Sequence, residues 1–173
     1  MSYLPYSGIG ARKAPYLIRS LMIGVAGELE ERGFVLRSGG AYGSDAAFEN
    51  GLKDPSKAEI FLPEQGFNGH ASERFDVSEE AFELARRFCS KTKWHKLNDF
   101  GRQCYARSGY QVLGRDLESP SKFVVCWTPR GADVGGTAQA IRIARAHNIP
   151  VFNLFDRGAR ARLPKLVQEV LSA

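Results

Sequence analysis

Residues 36–51 read L-R-S-G-G-A-Y-G-S-D-A-A-F-E-N-G, and the first half of that stretch holds residue types suited to binding an anion. Ser38, Gly39 and Gly40 follow a short apolar run, Phe34-Val35-Leu36, while Gly43-Ser44-Asp45 precede a helical pattern of Ala46, Ala47, Phe48 and Leu52. Glycine lets the backbone take positive φ and come close to a phosphate. The free N–H groups and the positive dipole end of the next helix point at the same place. Ser44 or Asp45 is the expected N-cap, and a capped turn without a ligand accounts for the same residue types. Two further glycine turns make the pattern more specific. Ser7-Gly8-Ile9-Gly10-Ala11-Arg12 ends one apolar run, and Thr128-Pro129-Arg130-Gly131-Ala132-Asp133-Val134-Gly135-Gly136-Thr137 follows another.

Other chemistry finds fewer residues. Acid–base work on an N-glycosidic bond needs a carboxylate near the anomeric carbon. Asp45, Glu49 and Asp133 are the acidic residues in or beside the glycine turns, and capping explains Asp45 better. Tyr42, Phe48 and Trp127 are candidates to stack a base, although Phe48 and Trp127 suit core packing better. His70, His95 and His147 are scattered, and Cys89, Cys104 and Cys126 form no C-x-x-C pair. No metal, disulfide framework or cofactor is therefore expected.

The turns need elements to hold them. Residues 6–10 read as a first strand, and a helical period of Leu17, Ile18, Leu21, Met22, Val25, Ala26 and Leu29 starts after Pro15 and ends near Gly33. A second strand at 33–36 and a third at 58–62, stopped by Pro63, give a β-α-β-α-β order, which implies a parallel sheet with right-handed crossovers. Residues 63–76 read as an exposed loop centred on Gly66 to His70. Ser78 is placed to cap a helix through Phe88, Trp94 and Leu97 read as an anchor, and a helix is expected over Asp99–Leu113. The apolar run 122–127 suits a central parallel strand. A small-residue helix from Ala138 to Ala146, a strand at 149–154 and a helix at 163–171 complete the chain. The expected fold is a Rossmann-like, doubly wound α/β domain over residues 1–173, a mainly parallel sheet with helices on both faces. The glycine turns after the first, second and fourth strands then share the carboxyl edge, where such sheets bind ligands at a topological switch point.

The composition, 43% hydrophobic and 25% charged, is that of an ordinary globular chain. No membrane span or signal peptide is evident, so a cytoplasmic protein with no membrane partner is expected. A net charge of +5 and a pI near 9.2 favour polyanionic partners, nucleic acid above all. Basic residues gather at 12–13, 86–96, 102–115 and 157–165.

On these residues the chain resembles the Rossmann-like family shared by DNA-processing protein A (DprA, also called Smf) and the LOG phosphoribohydrolases. It looks most similar to stand-alone DprA-like proteins of phage and mobile-element genomes. Ser7-Gly8-Ile9-Gly10-Ala11-Arg12 is similar to the family's first glycine loop with its arginine. Ser38-Gly39-Gly40-Ala41-x-Gly43-Ser44-Asp45 is similar to its S-G-G-A-x-G-x-D signature. Arg107 with Tyr110-Gln111-Val112-Leu113-Gly114 resembles its R-N-x-x-x-x-x-G helix, with Ser108 in place of Asn. Gly135-Gly136-Thr137 resembles the turn ahead of its last helix.

The resemblance implies a protein that binds nucleotide phosphate or single-stranded DNA, mediates DNA recombination or processing, and pairs as a homodimer. The implied ligand set is Gly8, Gly10, Arg12, Ser38, Gly39, Gly40, Gly43, Ser44, Asp45, Arg107, Gly135, Gly136 and Thr137. Full-length DprA carries flanking domains, for which this chain has no room. LOG enzymes carry P-G-G-x-G-T-x-x-E, and Ala140 stands at the glutamate position, so no catalytic residue is assigned. A LOG-like enzyme acting on an N-glycosidic bond and a sensor or sequestering protein for a nucleotide signal are the alternatives.

Overall fold

The computed structural model describes residues 3–173. Its strands are β1 (Leu4–Gly10), β2 (Phe34–Ser38), β3 (Ala58–Ile60), β4 (Val124–Trp127) and β5 (Val151–Asn153). They form one sheet in the order β3-β2-β1-β4-β5, parallel at every pair. Gly10 lies opposite Trp127, and Ser7 lies between Arg37 on one side and Val124 on the other. The strand order reverses between β1 and β4, which puts the switch point at their carboxyl ends. The fold is the expected Rossmann-like α/β one.

The helices are α1 (Tyr16–Glu31), α2 (Ser44–Asn50), α3 (Glu79–Phe88), α4 (Lys91–Lys96), α5 (Asp99–Leu113), α6 (Thr137–Ala146) and α7 (Arg157–Ser172). Alternation along β4 shows how they divide. Phe123, Val125 and Trp127 join Tyr6, Phe34, Phe48 and Met22 under α1, α2 and α7. Val124 and Cys126 join Ile9, Val112, Ile141 and Ala144 under α5 and α6. A strand apolar on both faces is what a central parallel position requires. A third cluster, with Phe61, Ala85, Trp94, Tyr105 and Tyr110, fastens α3 and α4 to α5. Phe48, Trp127 and Cys126 are all buried in these cores, as their surroundings in the sequence suggest.

Some boundaries move for identifiable reasons. Helix α7 begins at Arg157, well before the apolar period at 163, because Asp156 accepts from Gly158 N at 2.8 Å and caps it. Helix α4 is an addition: Ser90 accepts from Lys93 N at 3.3 Å and starts a short helix around the buried Trp94. The loop at 63–76 is not simply exposed. Leu62 N donates to Arg74 O at 2.8 Å and Ser72 Oγ to Ile60 O at 2.6 Å, folding the segment back on the end of β3. No helix among the described residues is long and apolar enough to cross a membrane.

Candidate functional site

The first two glycine turns meet in direct contact. Ala11, just past β1, donates its N–H to Trp127 O at 3.0 Å, and its carbonyl accepts from Ser44 Oγ at 2.8 Å. A Cβ on Gly10 would lie 2.5 Å from Ser44 Oγ and 2.9 Å from Trp127 O, and one on Gly43 would overlap the Arg12 carbonyl. Gly43 also has φ 80°, which an L side chain rarely adopts. Ser38 Oγ donates to Gly8 O at 2.6 Å and ties the ends of β1 and β2 together. Gly8 itself packs inward, where a Cβ would press on Leu36 and Phe48. The third turn follows β4 and stands at the same edge, since Thr128 continues the strand that pairs with β1.

The expected cap at α2 is not the observed one. Its N-cap is Gly43, with no side-chain bond, and Ser44 and Asp45 are its first two residues. Ser44 turns to the β1 turn instead. Asp45 reaches back along its own loop, where Oδ2 accepts from Gly39 N at 3.1 Å and Ala41 N at 3.3 Å. It is a brace for the glycine turn. The Arg107 guanidinium, from α5, lies beneath that turn and donates through Nη1 to Gly39 O and, at 3.2 Å, to Phe61 O. Burial pushes the Asp45 carboxyl up to about 6, outweighing Arg107 and the two N–H donors, which act the other way. Arg107 is itself buried, so its charge serves the loop from inside rather than reaching solvent.

The loop after β3 covers the same turn from outside, a feature with little sequence signal beyond its Gly66 and Asn68. Both residues take positive φ, at 70° and 53°, so the chain there turns tightly. Asn68 Nδ2 donates to Gly40 O at 3.0 Å, and Phe67 packs on Phe100 at 5.8 Å between ring centres. Ser72 N donates to His70 Nδ1, leaving Nε2 to face Glu49 Oε2 at 2.8 Å.

What remains open at the edge is a different set. Arg12, Lys13, Tyr42, Gly135 and Gly136 are exposed, and Thr137 is half-buried at the start of α6. A Cβ at Gly135 or Gly136 would meet nothing within 4 Å. Helices α3, α4, α5 and α7 have side-chain caps from Ser78, Ser90, Asn98 and Asp156. The three helices that follow the glycine turns have none: their N-caps are Pro15, Gly43 and Gly136. Helices α1 and α6 also lack an acidic residue in the first turn. Their first N–H groups therefore face the edge without a side-chain acceptor.

The carboxylates in or beside the glycine turns are engaged. Asp45 braces its loop, Glu49 holds His70, and Asp133 pairs with Arg145. Ala140 faces the sheet in the cluster with Ile9, Val124 and Cys126, and Gln139 donates to Ala85 O at 3.0 Å. Among the described residues no cluster of His, Cys, Asp and Glu is arranged to hold a metal ion.

No family model and no curated protein matches the sequence. Among solved structures, the chain is similar to DNA processing protein A from Helicobacter pylori, studied for its single-stranded DNA binding mode. The TM-score is 0.54 and the identity 21%, over 98% of this chain and 79% of that one. At that identity the likeness is one of fold, and it gives this chain a DprA-like Rossmann layer.

Proposed function

We propose that this protein holds single-stranded nucleic acid by its phosphates at the carboxyl edge of the sheet, between the turns that follow β1, β2 and β4. The observation that carries the reading is the distribution of helix caps. The helices after the glycine turns lack side-chain caps, and α3, α4, α5 and α7 have them. Uncapped N–H groups at α1 and α6 are suited to an anion. Exposed Arg12 and Lys13 lie beside α1 and add charge, and exposed Tyr42 offers a face on which a base can stack. Gly39, Gly40, Asp45 and Arg107 act beneath this surface by fixing the second turn. Engaged carboxylates support a holding role over hydrolysis of an N-glycosidic bond. The single-strand binding described for the Helicobacter pylori protein of like fold agrees with this reading. A DprA-like mediator in DNA processing or recombination is a role that such binding would serve.

Titration of a labelled single-stranded oligonucleotide, its duplex and a mononucleotide at about 50 and 200 mM salt tests the proposal. The single strand should bind most tightly, with log affinity falling against log salt by about 0.7 for each phosphate contact. Equal, salt-insensitive affinity for the mononucleotide and the oligomer would favour a nucleotide sensor instead.

A further inference from the structure

The densest basic run of this protein is short. Residues 86–98 hold Arg86, Arg87, Lys91, Lys93 and Lys96 and no Asp or Glu. Of 24 Lys and Arg residues five fall there, leaving 19 elsewhere against all 19 Asp and Glu. This run, the corner formed by the end of α3 and all of α4, carries +5 without an acid, and residues 157–168 of α7 carry a further +4.

The fold holds this corner in place. Trp94 is buried, and the guanidinium groups of Arg86 and Arg102 lie over its ring at 5.7 and 5.8 Å from the centroid. Arg86 and Arg102 also have partners in Glu79 and Asp99, at 3.4 and 3.7 Å. Arg87, Lys91, Lys93 and Lys96 are exposed, and among the described residues none of them is in an ion pair. Lys93 and Lys96 are three apart on one short helix, where like charges destabilise. Lys93 packs on Tyr105, whereas among the described residues no contact to the protein holds the charges of Arg87, Lys91 and Lys96. A polyanion would relieve the repulsion.

The position of α4 follows from the course of α5, while the end of α3 also packs on α6, where Phe88 O accepts from Arg142 Nε at 2.8 Å. Arg107 touches Gly39 and Phe61, past the carboxyl ends of β2 and β3, whereas Gln111 O accepts from Ser7 Oγ in the middle of β1 and Val112 O from Ser121 N, ahead of β4. The helix therefore runs antiparallel to the strands, and its first residues project past the glycine edge. Phe100 is seven residues before Arg107, which is about 10 Å at 1.5 Å per residue. Helix α4 lies along this projecting part, with Lys93 over Tyr105 at 5.3 Å and Arg102 Nε donating to Trp94 O at 3.5 Å.

We propose that the α3–α4 corner is a second phosphate-contact surface, which a single strand of nucleic acid reaches after leaving the glycine edge. The inference rests on the proposed function and makes the ligand a polymer rather than a nucleotide. Contacts there are electrostatic and independent of sequence.

The test is the triple variant R87Q/K91Q/K96Q, which keeps residues compatible with a helix. Its probes are thymidine monophosphate and an oligothymidylate of about twenty nucleotides, longer than the roughly 4–16 a single-strand binding domain covers. The variant should melt as the parent does and bind the monophosphate equally well. For the oligomer its affinity should fall about tenfold at 50 mM salt, and its salt slope by about two, or 0.7 for each of three contacts. Unchanged oligomer affinity and slope in a folded variant would overturn the inference and leave the glycine-edge reading standing. Equal losses for both probes would overturn it too, since the corner would then not act separately. A parent protein that binds no oligomer would refute the glycine-edge reading, and this inference with it.

Discussion

Gly39→Ala is expected to destabilise the fold by about 3 kcal/mol or more, the upper range for overpacking a tight interior. The new methyl group would overlap Arg107 Nη1 and the Gln111 side-chain amide, both buried. Arg107 cannot swing away freely, because the same nitrogen donates to Gly39 O and Phe61 O. Moving it would leave buried carbonyls unpaired and separate the guanidinium from Asp45. Urea denaturation compares the variant with the parent. Gly136→Ala, at a glycine with φ −66° and no neighbour within 4 Å, is the control and should be nearly neutral. Equal stabilities for all three proteins would mean that the turn is not held from beneath as described.

The second large effect is expected of Arg107→Ala, and it carries a pH signature. Truncation would leave the buried Gly39 and Phe61 carbonyls without their donor, at about 1–3 kcal/mol each, and would remove the positive charge that acts on Asp45. The group left behind is Asp45, whose carboxyl already titrates near 6 rather than 3.8 because it is buried. A carboxyl with a raised pKa favours the folded state below its ordinary pKa and loses that contribution as pH rises through the folded value. Without Arg107 the folded value rises further. The stability gap between parent and variant should therefore widen from pH 5.5 to pH 8. Adding Asp45→Asn to Arg107→Ala should recover part of the loss at pH 8 and remove that widening. A gap independent of pH would show that Asp45 and Arg107 do not act on one another.

Much of this was legible in the chain because local patterns and tertiary demands agree. The apolar runs and glycine punctuation mark the strands and the turns after them, and Asn98 and Gly114 bound α5 at both ends. The edge and its switch point follow from strand order alone. Asp45 was harder to read, because the spacing that suits an N-cap also suits a brace. What decides between them is the φ of 80° at Gly43 and the nearness of Ala11 to Ser44. Arg107 carries no local signal of burial; Gly39 and Phe61, far away in sequence, determine what it touches. Helix α4 is too short and too polar for a periodicity to stand out, and the closure of Asn68 over Gly40 is wholly tertiary.

The central claim, that the uncapped edge receives phosphate, is tested most directly by binding a single-stranded oligonucleotide to Gly136→Asp. The backbone at Gly136 suits any residue, and the new side chain would enter open space. A carboxylate at the start of α6 interacts favourably with the helix dipole by about 0.3–1 kcal/mol, so the melting temperature should hold or rise. The same carboxylate would occupy the N–H groups and repel the phosphate. Affinity should fall about a hundredfold, the worth of one or two charge-assisted hydrogen bonds. A stable Gly136→Asp protein that binds the strand as tightly as the parent would contradict the account.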